Sequence, residues 1–273
     1  VEPLRAGARC EKNSAVAYYG RLQSGMNSIL SAMRDFSSTP ATELLGGASH
    51  VRSLFDRISG RYDFLNHFLS AGRDRAWRRR SVAALPPLPP GARVLDLCAG
   101  TLDFSIALLE AVPDARCAAA DFSMPMLRTG RGKAAARPAS PVCADALRLP
   151  FADGSFDAVL CAFGVRNLED LGAGLAEIRR VLRPGGRVLV LDFFAPATAL
   201  MKCFHASYAR FAVPALGRAV SGDPRAYGYL RDSMRRFHTL AAFEACMSEA
   251  GFDALKSRTL TWGVAAFVLG EKR

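Results

Sequence analysis

The chain has 273 residues, half of them hydrophobic, enough to bury a large core, which excludes a disordered or low-complexity protein. Its net charge of +11 lies on two flanks, with nine basic against three acidic residues over 48–93 and eleven against six over 194–273. No run approaches the ~18 uncharged apolar residues of a membrane span, and seven cysteines without a CxxC pair speak against a metal or disulfide framework and for a reducing compartment.

Residues 1–47 are rich in Gly, Ser and Thr and read as a flexible leader, with a short helical candidate near Leu22–Phe36. A disordered leader and a transit peptide are both compatible with that composition. From Val51 to Leu69 apolar residues recur at helical spacing, with Gly60 placed to break the helix in two. A basic helix over Arg73–Leu85 follows, and Pro86–Gly91 ends it. Strands and helices then alternate. Strand Arg93–Leu97 precedes helix Asp103–Ala111, strand Ala115–Ala120 precedes helix Pro125–Ala135, and a short strand covers Val142–Ala144. Strand Phe156–Ala162 leads to helix Leu171–Leu182, and the turn Arg183–Gly186 delivers strand Arg187–Phe193. This pattern predicts an α/β fold with a mostly parallel, doubly wound sheet. Residues 197–250 read as mostly helical, and Phe252–Leu260 with Gly263–Leu269 predict an antiparallel hairpin at one side of the sheet.

The run Val94–Phe104 is strand, small-residue turn and helix start in one segment. A dinucleotide turn needs further glycines two and five positions apart, but the positions flanking Gly100 are Cys98 and Asp103. A carboxylate at Asp103 repels a pyrophosphate and suits a nucleoside with a cationic tail, which points to S-adenosylmethionine as cofactor. Ligands of open α/β sheets bind beyond the C-terminal strand ends. There stand Asp96 with Gly100 and Thr101, then Asp121 with Phe122, then Asp145 with Ala146. Asp121 is placed to accept from both ribose hydroxyls, and Asp145 from the adenine amine between apolar neighbours. Taken singly, Asp121 also reads as a helix cap.

Tyr62-Asp63-Phe64-Leu65-Asn66 with Ser70 and Trp77, then Ala162–Asp170 (AFGVRNLED), then Arg180–Gly186 carry a resemblance. It continues through Tyr227, Tyr229, Leu230, Ser233 and Phe237 to Leu260-Thr261-Trp262-Gly263. Over roughly residues 50–271 the chain resembles the C-methyltransferases of ubiquinone and menaquinone biosynthesis (UbiE/MenG type). It departs from them at Asp74, where a His is usual, at Phe194, where a Ser usually follows the acid found here as Asp192, and at Leu102, where a Gly is common. A leucine does not readily take positive φ.

The resemblance implies a class I, Rossmann-like methyltransferase fold over 48–273. Lid helices would span 48–90, the cofactor-binding core 91–195, a helical substrate cap 196–250 and closing strands 251–273. It implies methylation of a prenylated quinol, demethylmenaquinol or 2-polyprenyl-6-methoxy-1,4-benzoquinol, with Arg166, Asn167 and Tyr62 as catalytic residues. In that scheme Arg166 stabilises a phenolate-like oxygen or orders a water, Asn167 orients the ring, and Tyr62 completes the hydrogen bonds. Taken alone, Arg166 reads as a surface residue paired with Glu169 or Asp170. Of the four histidines, His205, in an apolar helical stretch with Tyr208 and Phe211, reads as a structural residue or one that reaches the substrate, and His67 as a helix-face residue. The basic, partly apolar flanks suit an anionic membrane surface better than nucleic acid, for which no module is present. The expected location is therefore cytoplasmic or peripheral at a membrane, in the mitochondrial matrix if the leader is a transit peptide. A homodimer stays open, as does a non-catalytic cofactor-binding scaffold; a nicotinamide-dependent dehydrogenase conflicts with Asp103 and the missing glycines.

Overall fold

A computed structural model describes residues 48–134, 139–195, 233 and 237–273. The expected leader with its helical candidate near Leu22–Phe36 lies outside them, as does most of the expected helical cap, including His205, Tyr227, Tyr229 and Leu230.

The N-terminal helices form as the apolar spacing predicts. Helix α1 (Ala48–Ile58) ends at a 3-10 turn over Ser59–Arg61, and α2 (Tyr62–Leu69) begins at once, so the chain breaks at Gly60. Helix α3 (Arg73–Val82) stops three residues short of the predicted end, before the proline run.

Seven strands build one sheet: β1 (Arg93–Leu97), β2 (Arg116–Asp121), β3 (Ser140–Cys143), β4 (Phe156–Ala162), β5 (Leu182–Asp192), β6 (Phe252–Leu260) and β7 (Ala265–Lys272). Their order is β3-β2-β1-β4-β5-β7-β6. The first five are parallel, and β7 inserts antiparallel between β5 and β6. The predicted hairpin thus forms at one side of the sheet. β2 and β3 each start and end within two residues of expectation. β5 differs more: Phe156 pairs with Leu182, but Ala158 pairs with Arg187. Arg183–Gly186 therefore bulges from a strand that starts earlier than predicted, and Gly185 supplies the left-handed backbone this bulge needs (φ +73°).

Helices α4 (Asp103–Ala111), α5 (Met124–Lys133), α6 (Leu171–Val181) and α7 (Leu240–Glu249) complete the described elements. Along β1, Val94 packs with Trp77, Leu108 and Leu127 on one face, while Leu95 and Leu97 pack with Leu175, Ile178 and Phe243 on the other. A central parallel strand covered on both faces must be apolar throughout, which is why Asp96, fully buried in it, calls for an explanation. The strand order reverses between the parallel neighbours β1 and β4, and the crevice beyond their C-terminal ends is where such sheets hold ligands.

Candidate active site

The turn after β1 is wound tightly, with Cys98, Gly100 and Leu102 all left-handed (φ +54°, +53° and +64°). Two carboxylates stabilise it. Asp96 accepts from the Ser105 backbone N–H at 2.8 Å and its Oγ at 2.6 Å, so it satisfies one of the N–H groups left without an intrahelical partner in the first turn of α4. Asp121 accepts from the Gly100 N–H at 2.8 Å through one oxygen and from the Ser123 N–H at 2.8 Å through the other. Burial pushes both carboxyls up, Asp96 to about 7 and Asp121 to about 6, against the pull of these hydrogen bonds.

A cavity of about 430 Å³ opens beyond the strand ends. Gly100, Asp121, Phe122, Asp145 and Ala146 line one part, and Tyr62, Phe163 and Asn167 another. Asp145 is exposed and accepts from the Leu147 N–H at 2.9 Å, while Ala146 is buried beside it. Among the described residues, the lining carries three carboxylates, Asp121, Asp145 and Glu169, against one cation, Arg52. Such a wall repels phosphate and accepts hydroxyl, amino and sulfonium groups. Burial raises the Tyr62 phenol, with a hydrogen bond to Asn66 opposing, so the hydroxyl stays protonated and acts as a donor.

Four of the sequence-derived candidates stand behind this wall rather than on it. Asp96 is engaged as described. Thr101 Oγ1 donates to Asp63 of α2. Asp103 pairs with Lys133 Nζ at 2.6 Å and, less closely, with Arg78 at 3.8 Å, so its charge is answered within the protein. Arg166 is buried and makes a 2.7 Å ion pair with Asp192, not with Glu169 or Asp170. The same guanidinium donates to the Phe163 carbonyl at 2.5 Å and stacks on the Phe193 ring. Asn167, on the same 3-10 turn as Arg166 (Val165–Asn167), donates to that carbonyl at 3.2 Å.

Helices α1 and α2 reach the turns after β1 and β2 at two points. Asp63 takes Thr101 and Lys133, and Asp56 of α1 takes the Ser123 hydroxyl that also caps α5. Asp74, in the first turn of α3, accepts from Ser70 and Arg78 at 2.8 Å, and His67 Nδ1 lies 2.9 Å from it. Those partners hold its carboxyl below the usual range despite burial. Sequence reasoning missed Arg52, Phe163 and Glu169 as cavity residues, and Asp56, Asp63 and Lys133 as clasps. Phe163 and Glu169 fall inside the AFGVRNLED motif, which was the available signal.

Residues 44–272 match the model of the ubiE/COQ5 methyltransferase family. A demethylmenaquinone methyltransferase of Mycobacterium marinum is 45% identical over 222 residues, covering 81% of this chain and 93% of that one. Its counterpart from Mycolicibacterium vanbaalenii is 46% identical, covering 79% and 92%. Among solved structures, a SAM-dependent methyltransferase of Thermotoga maritima superposes with a TM-score of 0.60 at 19% identity, covering 81% of this chain and 99% of that one. The [4+2]-cyclase SpnF gives 0.61 at 16%, covering 82% and 96%. At such identities these structures share the fold.

Proposed function

The chain belongs to the ubiE/COQ5 methyltransferase family, and from that premise we propose that it methylates a ring carbon of demethylmenaquinol. It is an S-adenosylmethionine-dependent methyltransferase with the class I fold. The observation that carries the substrate is the identity of 44–46% with demethylmenaquinone methyltransferases along nearly their whole length.

The residues present fit the methyl donor. The cavity wall is anionic, Gly100 brings bare backbone to it, and its volume is that of a small-molecule site. Asp121 would hold the ribose hydroxyls, and Asp145 with Ala146 and Phe122 the adenine. When bound, S-adenosylmethionine supplies a methyl group made electrophilic by its sulfonium. The chain's own residues orient and polarise the acceptor ring. Tyr62, protonated at the cavity, donates a hydrogen bond to a ring oxygen, and Asn167 sets the ring's orientation. Arg166 acts from behind as a positioning residue: it and Asn167 share the Phe163 carbonyl, and Asp192 anchors the guanidinium.

A finer reading places the enzyme on an anionic bilayer surface, where a prenylated substrate resides. It is supported by Phe64 and Phe68, 58% and 50% exposed and paired on one face of α2, within a flank rich in arginine. The test of function is turnover. Purified protein with S-adenosylmethionine should methylate reduced demethylmenaquinol in preference to the methoxybenzoquinol; no transfer to the naphthoquinol, or the reverse preference, overturns the reading.

A further inference from the structure

Two cysteine sulfurs meet at the wall of the cofactor cavity. Strand alternation would send Cys98 to the Asp96 face of the sheet, opposite Leu97. Its left-handed backbone (φ +54°) turns it back, so it packs against the Leu97 core and lines the cavity. Cys161 is fully buried in that same core, and Leu97 is its register mate across the parallel β1–β4 pair. Gly164 marks where the two meet. A Cβ there would lie 2.4 Å from Cys98 Cβ, 2.9 Å from Cys98 Sγ and 2.8 Å from Cys161 Sγ. The two sulfurs thus face each other across the space that Gly164 leaves open. Neighbouring strands run roughly 4.8 Å apart, so cysteines one residue out of register fall within the span that disulfides bridge.

We propose that Cys98 and Cys161 form a dithiol site that a 1,4-quinone oxidises to a disulfide, and that this bond closes the cofactor cavity. The proposal rests on the quinol reading above, because the oxidised form of that substrate is the oxidant the cavity admits. Two S–H bonds break and one S–S bond forms, and two electrons and two protons pass to the quinone, which leaves as the hydroquinone. Cys98 faces the cavity and meets the quinone; Cys161 closes on it from the core. Its Cys98 neighbour, together with burial, holds the Cys161 thiol well above the ordinary range, and Cys161, fully buried, is out of reach of oxidants that stay outside the cavity. The bond draws the β1 turn towards the β4 turn, and Gly100, whose N–H anchors Asp121, is two residues from Cys98. Only the electron-rich quinol can take a methyl group, so an enzyme built this way releases its donor when quinone fills the acceptor site.

The test uses the full reduced chain under anaerobic conditions with 2,3-dimethyl-1,4-naphthoquinone, whose blocked ring carbons prevent thiol addition. Peptide mapping after alkylation should show a Cys98–Cys161 cross-link, with Cys143, an exposed thiol on the same cavity, still alkylated. S-adenosylmethionine affinity, read by calorimetry, should fall about tenfold or more and return with dithiothreitol. Cys161→Ala should keep the affinity of the reduced protein and lose the response to quinone; Cys161→Ser serves if the alanine variant does not fold. Absence of the cross-link, undiminished binding once it has formed, or inhibition of the Cys161 variants like the parent overturns the proposal. The function reading fails in a different assay, methyl transfer by the reduced protein, so the two failures are told apart.

Discussion

Leu102 occupies the space that Gly130 leaves by lacking a side chain. A Cβ on Gly130 would lie 2.5 Å from Leu102 Cγ, and 2.6 and 2.8 Å from the carbonyl carbon and oxygen of Thr101. Leu102 is fully buried and left-handed at the start of α4, a conformation that costs a leucine about 1–2 kcal/mol. Burial of its side chain offsets that strain by a similar amount, ~2 kcal/mol. The cofactor turn therefore depends on a helix from the next βα unit.

Gly130→Ala should accordingly lower stability by about 1–3 kcal/mol in denaturant titration and weaken S-adenosylmethionine binding, since Thr101 adjoins Gly100. Adding Leu102→Ala should restore only part of the loss, because the Thr101 backbone still blocks the methyl group. A double-mutant cycle measures that coupling, and strict additivity would refute the contact.

The two clasps from the lid should act on binding rather than on stability. The Asp63–Lys133 pair is partly exposed, 27% and 31%, so losing it costs less than ~1 kcal/mol. Asp63→Asn should leave the melting temperature within about 3 °C of the parent yet raise the donor's Kd several-fold, by freeing α2 from Thr101. Asp56→Asn should do the same through Ser123. A large fall in melting temperature with unchanged Kd would assign both residues to the fold alone.

The sheet was legible because parallel strands buried on both faces must be largely apolar, and Val94–Leu97 and Phe156–Ala162 are, apart from Asp96 and Asp157. Asp121 and Asp145 were legible for a related reason, since a strand end in such a sheet faces the crevice. Asp96 carries the same outward signature, but Ser105, nine residues on, takes its oxygen, and periodicity does not reveal such a partner. Arg166 misled in a similar way. Its local acids are Glu169 and Asp170, but the next strand brings Asp192 from 26 residues away. The clasps at Asp56 and Asp63 depend on how α1 and α2 fold back, which no spacing along the chain encodes.

Asp96 and Asp121 give opposite signs for stability and binding. Both titrate higher in the folded chain, about 7 and about 6, than in the unfolded one, near 4. The folded protein thus holds more protons between those values, and stability falls as pH rises from about 4 to 7, by at most ~1.4 kcal/mol per unit for each group. Asp192, also raised by burial, acts in the same direction. Asp96→Asn should flatten the slope between pH 6 and 7 in chemical denaturation. Donor affinity should instead improve as pH rises through about 6, because only ionised Asp121 keeps acceptor sites for both ribose hydroxyls; Asp121→Asn should weaken binding and remove that dependence.

The Arg166–Asp192 pair requires two variants to separate structure from catalysis. Arg166→Met strands a buried carboxylate, for which about 3–5 kcal/mol of lost stability is expected. Loss of turnover in that single variant would therefore say little about the reaction. Replacing both partners, Arg166→Met with Asp192→Leu, removes the charge along with its counter-charge and should recover most of that stability. If Arg166 positions Phe163 and Asn167 from behind the wall, the double variant should bind S-adenosylmethionine nearly as the parent does while kcat falls and KM for the quinol changes little. Normal kcat in a stable double variant would confine the pair to the fold and leave Tyr62 and Asn167 as the acceptor-side groups.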